Sequence, residues 1–153
     1  MGTQQVLMLV IGVIVVGVAV AVGIVMFNTG SYNANQNAIA VNMQDINTKM
    51  LQFWMLPSSM GGANQLPANV KMETVGASLG FSKNGEVYSF INEDGEFRLK
   101  STNETNGKVV IEGLGNVGKS NNKFPLVTMT IDMMTQSAET AITEASGFSN
   151  TSH

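Results

Sequence analysis

The chain of 153 residues contains no cysteine. That excludes a disulfide framework and any thiolate metal site. Small extracellular domains often rely on disulfides, so here stability has to come from a packed core or from neighbouring molecules. Charge is scarce as well: 12% of residues are charged and the net charge is −3. The eight basic residues are scattered from Lys49 onward. They form no basic run, so no nucleic-acid partner is expected. The single histidine is His153, the last residue. No Ser-His-Asp or Cys-His set can be assembled around it, so neither an enzyme nor a bound cofactor is expected. The most informative absence is positional, because no Asp, Glu, Lys, Arg or His precedes Asp45.

Inside that uncharged stretch, residues 6–27 are all apolar or glycine. A helix of this length crosses the roughly 30 Å of hydrocarbon in a bilayer. The Val/Ile content and the Val18-Ala19-Val20-Ala21-Val22 alternation would suit a strand, but the length favours helix. The run is longer than the apolar core of a secretory signal. It also lacks the basic flank and small-residue cleavage site of one. We therefore read it as a retained segment. Gly12, Gly17 and Gly23 interrupt it. Gly17 with Ala21, and Ala19 with Gly23, are small-xxx-small pairs of the kind that let helices approach closely.

The neutral zone continues through the amide-rich residues 28–44. A membrane anchor needs no such continuation, whereas a helix buried again inside an assembly does. Asn28-Thr29-Gly30-Ser31 favours a loosening or bend in the helix. Beyond it, Ile39, Met43, Ile46, Met50 and Phe53 recur at spacings of 4, 3, 4 and 3, one apolar stripe. With Trp54, these are the side chains expected to pack a helix against a globular head. Pro57 ends the pattern. The two helical segments together would form a rod of about 80 Å.

About 95 residues remain, enough for one small domain. The expected organisation is an apolar helix over 1–27, its amphipathic continuation over 28–56, a loop over 57–69 and a β-rich head over 70–153. Residues 70–75 read as a short strand. Residues 86–91 and 96–100, flanking Asn92-Glu93-Asp94-Gly95, read as a hairpin. Residues 108–114 form the next strand. Residues 124–132 alternate, with Val127, Met129 and Ile131 on one face. The tail, residues 133–153, is ambiguous by pattern, with residues 134–145 compatible with a short helix. Asn84-Gly85 and Asn106-Gly107 are turn signals. The fold class expected is α+β, a long N-terminal helix on a small antiparallel β domain.

Asn92 to Glu96 concentrates oxygen ligands, but it lacks the spacing of a calcium loop and reads as a solvated turn. Gly113 to Lys119 lacks the spacing and helix context of a phosphate loop. No metal site is expected. Asn103-Glu104-Thr105 and Asn150-Thr151-Ser152 match the acceptor pattern for N-glycosylation. The eleven methionines read as adaptable core filler.

A long helix, apolar then amphipathic, followed by a small β-rich domain resembles the type IV pilins. The start, Gln4-Gln5-Val6-Leu7-Met8-Leu9-Val10-Ile11-Gly12, is similar to pilin-like bacterial proteins with a glutamine-rich tip and a Val/Ile/Gly-rich helix. Phe53-Trp54 followed by Pro57 and Gly61-Gly62 is similar too, and the likeness covers roughly residues 1–62. It implies a subunit of an extracellular filament, a helical polymer of many copies. Such a subunit waits in the inner membrane until assembly machinery extracts it. It also implies that Met1 is a processed, N-methylated first residue. Family members usually carry a glutamate near the helix start that pairs with a neighbour's N-terminal amine. Here that position is Gln5, which accepts a hydrogen bond but neutralises no charge. Met1, Gln4, Gln5, Gly12, Gly17, Ala19, Ala21 and Gly23 are then the expected assembly contacts. A single-span surface protein, or a minor pilin-like component of a secretion or uptake machine, is the alternative. Adhesion, motility and DNA uptake are not distinguished.

Overall fold

The computed structural model describes residues 2–119 and 121–148. One helix, α1, runs without interruption from Thr3 to Met55. The loosening expected at Asn28 to Ser31 does not break the helix. The Thr29 hydroxyl is satisfied within it, donating to the Val25 carbonyl one turn back at 2.9 Å. Tyr32, buried one turn later, fixes the helix on the head.

α1 ends where Pro57 requires it to. The last carbonyls do not go unpaired: those of Phe53, Trp54 and Leu56 accept the backbone N–H groups of Ala63, Gln65 and Asn64, each at 2.9 Å. The chain must fold tightly back to supply these donors. Gly61 turns in the left-handed region, and Gly62 passes so close to Leu56 that a Cβ would collide with its carbonyl.

Residues 70–75 do not form the expected strand. They lead into a short helix, α2, from Met72 to Leu79. The Thr74 hydroxyl accepts from the Lys71 N–H at 3.2 Å and donates to the Asn69 and Lys71 carbonyls, closing the first turn. Buried Val75 and Gly76 and the partly buried Leu79 have helical spacing, and Gly80 caps the end at φ 74. Gly76 lies flat against the Tyr88 ring, where a side chain would not fit.

Six strands follow in chain order as one antiparallel meander: β1 (Ser82–Asn84), β2 (Val87–Ile91), β3 (Gly95–Asn103), β4 (Lys108–Gly115), β5 (Phe124–Asp132) and β6 (Ser137–Ala145). The fold is therefore α+β, with α1 lying across one face of the sheet. β6 corrects the expectation of a helix at 134–145. Asp132 accepts the N–H groups of Met134 and Thr135 and starts a turn, Gln136 adopts φ 53, and nine residues pair in register with β5. The helix-favouring Ala and Glu residues yield to a full ladder of backbone hydrogen bonds.

The core lies between α1 and the sheet. Ile39, Met43, Ile46, Met50, Phe53 and Trp54 are buried against Phe97, Leu99, Val109, Ile111, Val127, Met129 and Ile131. Close approach requires a trough of glycines. Gly95 faces Gly115 across β3 and β4, and Gly113 faces Phe97. A Cβ on Gly95 would collide with the Leu114 carbonyl and stand 2.9 Å from Ile39 Cδ1. One on Gly113 would stand 2.9 Å from Met43 Cε. The glycines are needed for proximity, not for an unusual backbone angle.

On the other face, Glu112 is 2% exposed. It accepts from Arg98 Nε at 3.1 Å and Nη2 at 2.9 Å, and pairs with Lys100 Nζ at 2.6 Å. Arg98 and Lys100, two residues apart on β3, lie on the same face of the sheet and share this carboxylate. The register of β3 on β4 shifts between Leu99 and Ser101. The Phe148 ring stacks on the Arg98 guanidinium, 4.1 Å from the centroid to Cζ.

Two substitutions test this packing. Gly95→Ala is expected to destabilise the head by about 1–3 kcal/mol through overpacking, read by denaturant unfolding of detergent-solubilised protein. A loss under about 0.5 kcal/mol would mean that α1 does not seat in the trough. Glu112→Ala removes the buried carboxylate that Arg98 and Lys100 share. It is expected to cost about 2–4 kcal/mol, less than for a fully buried triad because Lys100 is partly exposed.

Candidate functional site

The first half of α1 packs against nothing else among the described residues. Every residue from Thr3 to Gly30 is exposed. The helix is long and apolar enough to cross a membrane, and its most apolar window is 0% buried. Seventeen large apolar side chains between Val6 and Phe27 stand at least 48% exposed. Soluble monomers rarely expose contiguous apolar patches beyond a few hundred Å². Half-burying these side chains is worth on the order of 10–25 kcal/mol, comparable to the whole stability of a domain. A surface of this size has to be covered by lipid or protein.

The small residues show where cover can approach most closely. Gly12, Gly17 and Gly23 have nothing within 4 Å of a Cβ built on them, and Ala19 and Ala21 are exposed. At 100° per residue, Gly12, Ala19 and Gly23 fall in one line. Continued down the helix, that line passes Gly30, Ala34 and Val41, on the side away from the head. Gly17 and Ala21 fall on the opposite line, above the buried stripe. Close-approach positions therefore exist on two opposite faces of the same helix. That suits a helix surrounded by others better than one half of a single helix pair.

The neutral segment 28–44 differs. Its inward side chains belong to the seam with the head. Asn35, 7% exposed, is the polar centre of that seam. Its amide donates to the Asp94 carbonyl at 2.7 Å and to Asn116 Oδ1 at 3.1 Å, while its Oδ1 accepts the Val117 N–H at 3.1 Å. Asn42 donates to Asp94 Oδ2 at 2.7 Å. Asn116 also donates to the Glu93 carbonyl. The oxygen-rich turn at Asn92 to Glu96 is thus engaged in holding the helix: Asn92 Oδ1 closes the turn on the Asp94 and Gly95 N–H groups, and Asp94 serves Asn35 and Asn42.

A charged clamp sits where α1 leaves the head. Lys119 pairs with Glu144 of β6, and its ammonium lies 4.6 Å from the centre of the Tyr32 ring. The Tyr32 hydroxyl donates to Glu144 at 3.4 Å. The hydrogen bond from Lys119 holds the Glu144 carboxyl below its ordinary range, and the same bond raises Lys119 above its own.

Of the other expected site residues, Gln4 and Gln5 are exposed at the helix tip, and Met1 lies outside the described residues. Ile39, Met43, Ile46, Met50, Phe53 and Trp54 all reach the core. Asn103 is exposed, with its carbonyl oxygen Oδ1 accepting the Thr105 and Asn106 N–H groups, and Asn150 lies outside the described residues. Tyr32, Asn35 and the Gly95–Gly113–Gly115 trough were not among the residues singled out by sequence. The available signal was spacing, since Asn35 stands four residues before Ile39 and Tyr32 seven before it.

No family model, curated protein or solved structure matches the chain. Its architecture is nonetheless pilin-like: a long N-terminal helix, apolar and uncovered in its first half, packed by its second half on an antiparallel sheet.

The clamp gives a pH prediction. A depressed carboxylate stabilises the fold fully above its ordinary pKa, and that contribution disappears as pH falls through the folded value. The raised ammonium contributes below its ordinary pKa and is lost only as pH rises through its folded value. Thermal melts of wild type and Glu144→Gln are therefore expected to differ at pH 7 and to converge as pH drops below the carboxylate range. A gap independent of pH would contradict the clamp.

Proposed function

We propose that this chain is the major structural subunit of an extracellular type IV pilus-like filament, polymerising through its N-terminal helix. The observation that carries the reading is the pairing of an uncovered apolar half-helix with a neutral continuation. Lipid would cover residues 6–27, but it gives no reason for the absence of charge down to Gln44 on the side of α1 facing away from the head. That side carries Gly30, Ala34, Asn37, Val41 and Gln44, all exposed, and the first charged pair is Asp45–Lys49 at 2.9 Å. Packing among parallel copies explains both. Each subunit offers one surface to a different surface of the next, and such heterologous contact propagates as a helix when it does not close.

Before assembly the same helix fits a bilayer, and assembly machinery would move it from lipid into the dry filament centre. The head would then coat the outside. The role is structural, with no catalytic step assigned to any residue. A single-span surface protein is the second reading, supported by the span-length apolar run alone.

Gly17→Leu and Ala21→Leu separate the two. Both positions are exposed and neither packs on the head among the described residues, so head stability and membrane insertion are expected to be unchanged. Filaments in sheared surface material, counted by electron microscopy, are expected to fall at least tenfold. Wild-type cells that insert the chain in their membrane yet never yield filaments containing it would reject the polymer and leave the second reading.

A further inference from the structure

We infer that the free edge of β6 is a lateral contact, and that its occupant is the β1 edge of a second copy of this chain. The inference rests on the filament reading and adds to it a head-to-head contact separate from the helix core.

β6 ends the sheet, and nothing among the described residues pairs with its outer edge. It is nine residues long and exposed at all but the last. An edge presents a row of unused backbone donors and acceptors, and proteins usually block it with proline, lysine or a bulge. β6 has no proline and no lysine, and its register with β5 is unbroken from Ser137 to Ala145. Of the described residues that follow it, Phe148 leaves the edge and stacks on Arg98, on the face opposite α1. Toward α1, β6 shows Ala138, Thr140 and Ile142, in register with buried Ile131, Met129 and Val127. Ile142 is 49% exposed beside the core for lack of cover.

Strand parity selects the occupant. The sheet has six strands, each antiparallel to the next. β1 therefore runs antiparallel to β6. A second head in the same orientation brings its β1 alongside as an antiparallel strand, so the ladder continues without inversion. Two β6 edges meeting about a dyad would instead set the two α1 helices in opposition, and that contact closes after two subunits. Charge agrees with this choice. The only charges in β6 are acidic, Glu139 and Glu144, and the only charge in β1 is Lys83. A β6–β1 contact therefore brings strands of opposite sign together, whereas two β6 edges would meet with like charge. On the α1 side Lys83 shares the face with Glu144, already held by Lys119 and Tyr32, while Glu139 faces the other way. Lys83 stands 3.9 Å from Glu73, with both side chains more than half exposed, and 5.5 Å from the centre of the Tyr88 ring. The contact is a strand addition in which each head supplies one edge and receives another.

The cysteine-free chain allows a clean test. Lys83→Cys and Thr140→Cys are introduced singly and together. Filaments are then treated with a bis-maleimide spanning about 8 Å, under two inter-strand spacings of about 4.8 Å. The double variant is expected to give a ladder of covalent multimers in denaturing gels, and each single variant only monomer. Dimers from Thr140→Cys alone would show dyad pairing of β6 and overturn the proposal. Intact filaments without a ladder would overturn it and leave the polymer reading standing, whereas a wild type without filaments under the microscope removes both. As a second measurement, Ile142→Lys is expected to keep the melting temperature of the head and lower the temperature at which filaments dissociate. Equal dissociation temperatures would count against the edge contact.

Discussion

Everything else in this molecule follows from an apolar helical surface that the subunit itself does not cover. From Val6 to Phe27 the large side chains of α1 face outward. The free energy available from burying them rivals that of folding the head. Neutrality is the companion constraint. A charge left unpaired in a dry interior costs several kcal/mol, and α1 has none before Asp45. In the proposed filament the amides of the 28–44 segment are polar groups such an interior tolerates, because they can be satisfied locally or by one another.

The head holds the rod so that the free half projects. α1 seats in a glycine trough on β3 and β4, and a polar latch centred on Asn35 fixes its position along the sheet. Hydrophobic contacts between Ile39, Met43 and the strands supply cohesion but little specificity of register. The three hydrogen bonds of Asn35 supply that register, since a shift of one residue would leave a buried amide unpaired. The Lys119–Glu144–Tyr32 clamp then secures the exit point. Helix direction is thus set by groups at both ends of the seam, as a subunit needs if its neighbours are to meet it in one orientation.

Much of this was legible in the sequence. The stripe from Ile39 to Phe53 has helical period, so the long helix and its buried face could be read directly. β2 to β5 were legible from alternation and from the turn residues between them. β6 was not, because an edge strand with both faces exposed shows no apolar alternation, and its Ala and Glu residues favour helix in isolation. α2 was masked by Val70 and Val75, which favour strands, while its start depends on the Thr74 hydroxyl. Asn35 was illegible for another reason: its partners lie 59 and 81 residues away in the chain. The glycine trough likewise becomes meaningful only once α1 is laid across it.

The central claim is that residues 6–27 are covered by copies of themselves in the working state. Electron cryomicroscopy of native surface filaments at side-chain resolution tests it most directly. Val13 to Val25 of each subunit are expected in a lipid-free core, with Gly17 and Gly23 at the closest helix–helix approaches. A chain found only as single copies, with that segment still in lipid, would contradict the account.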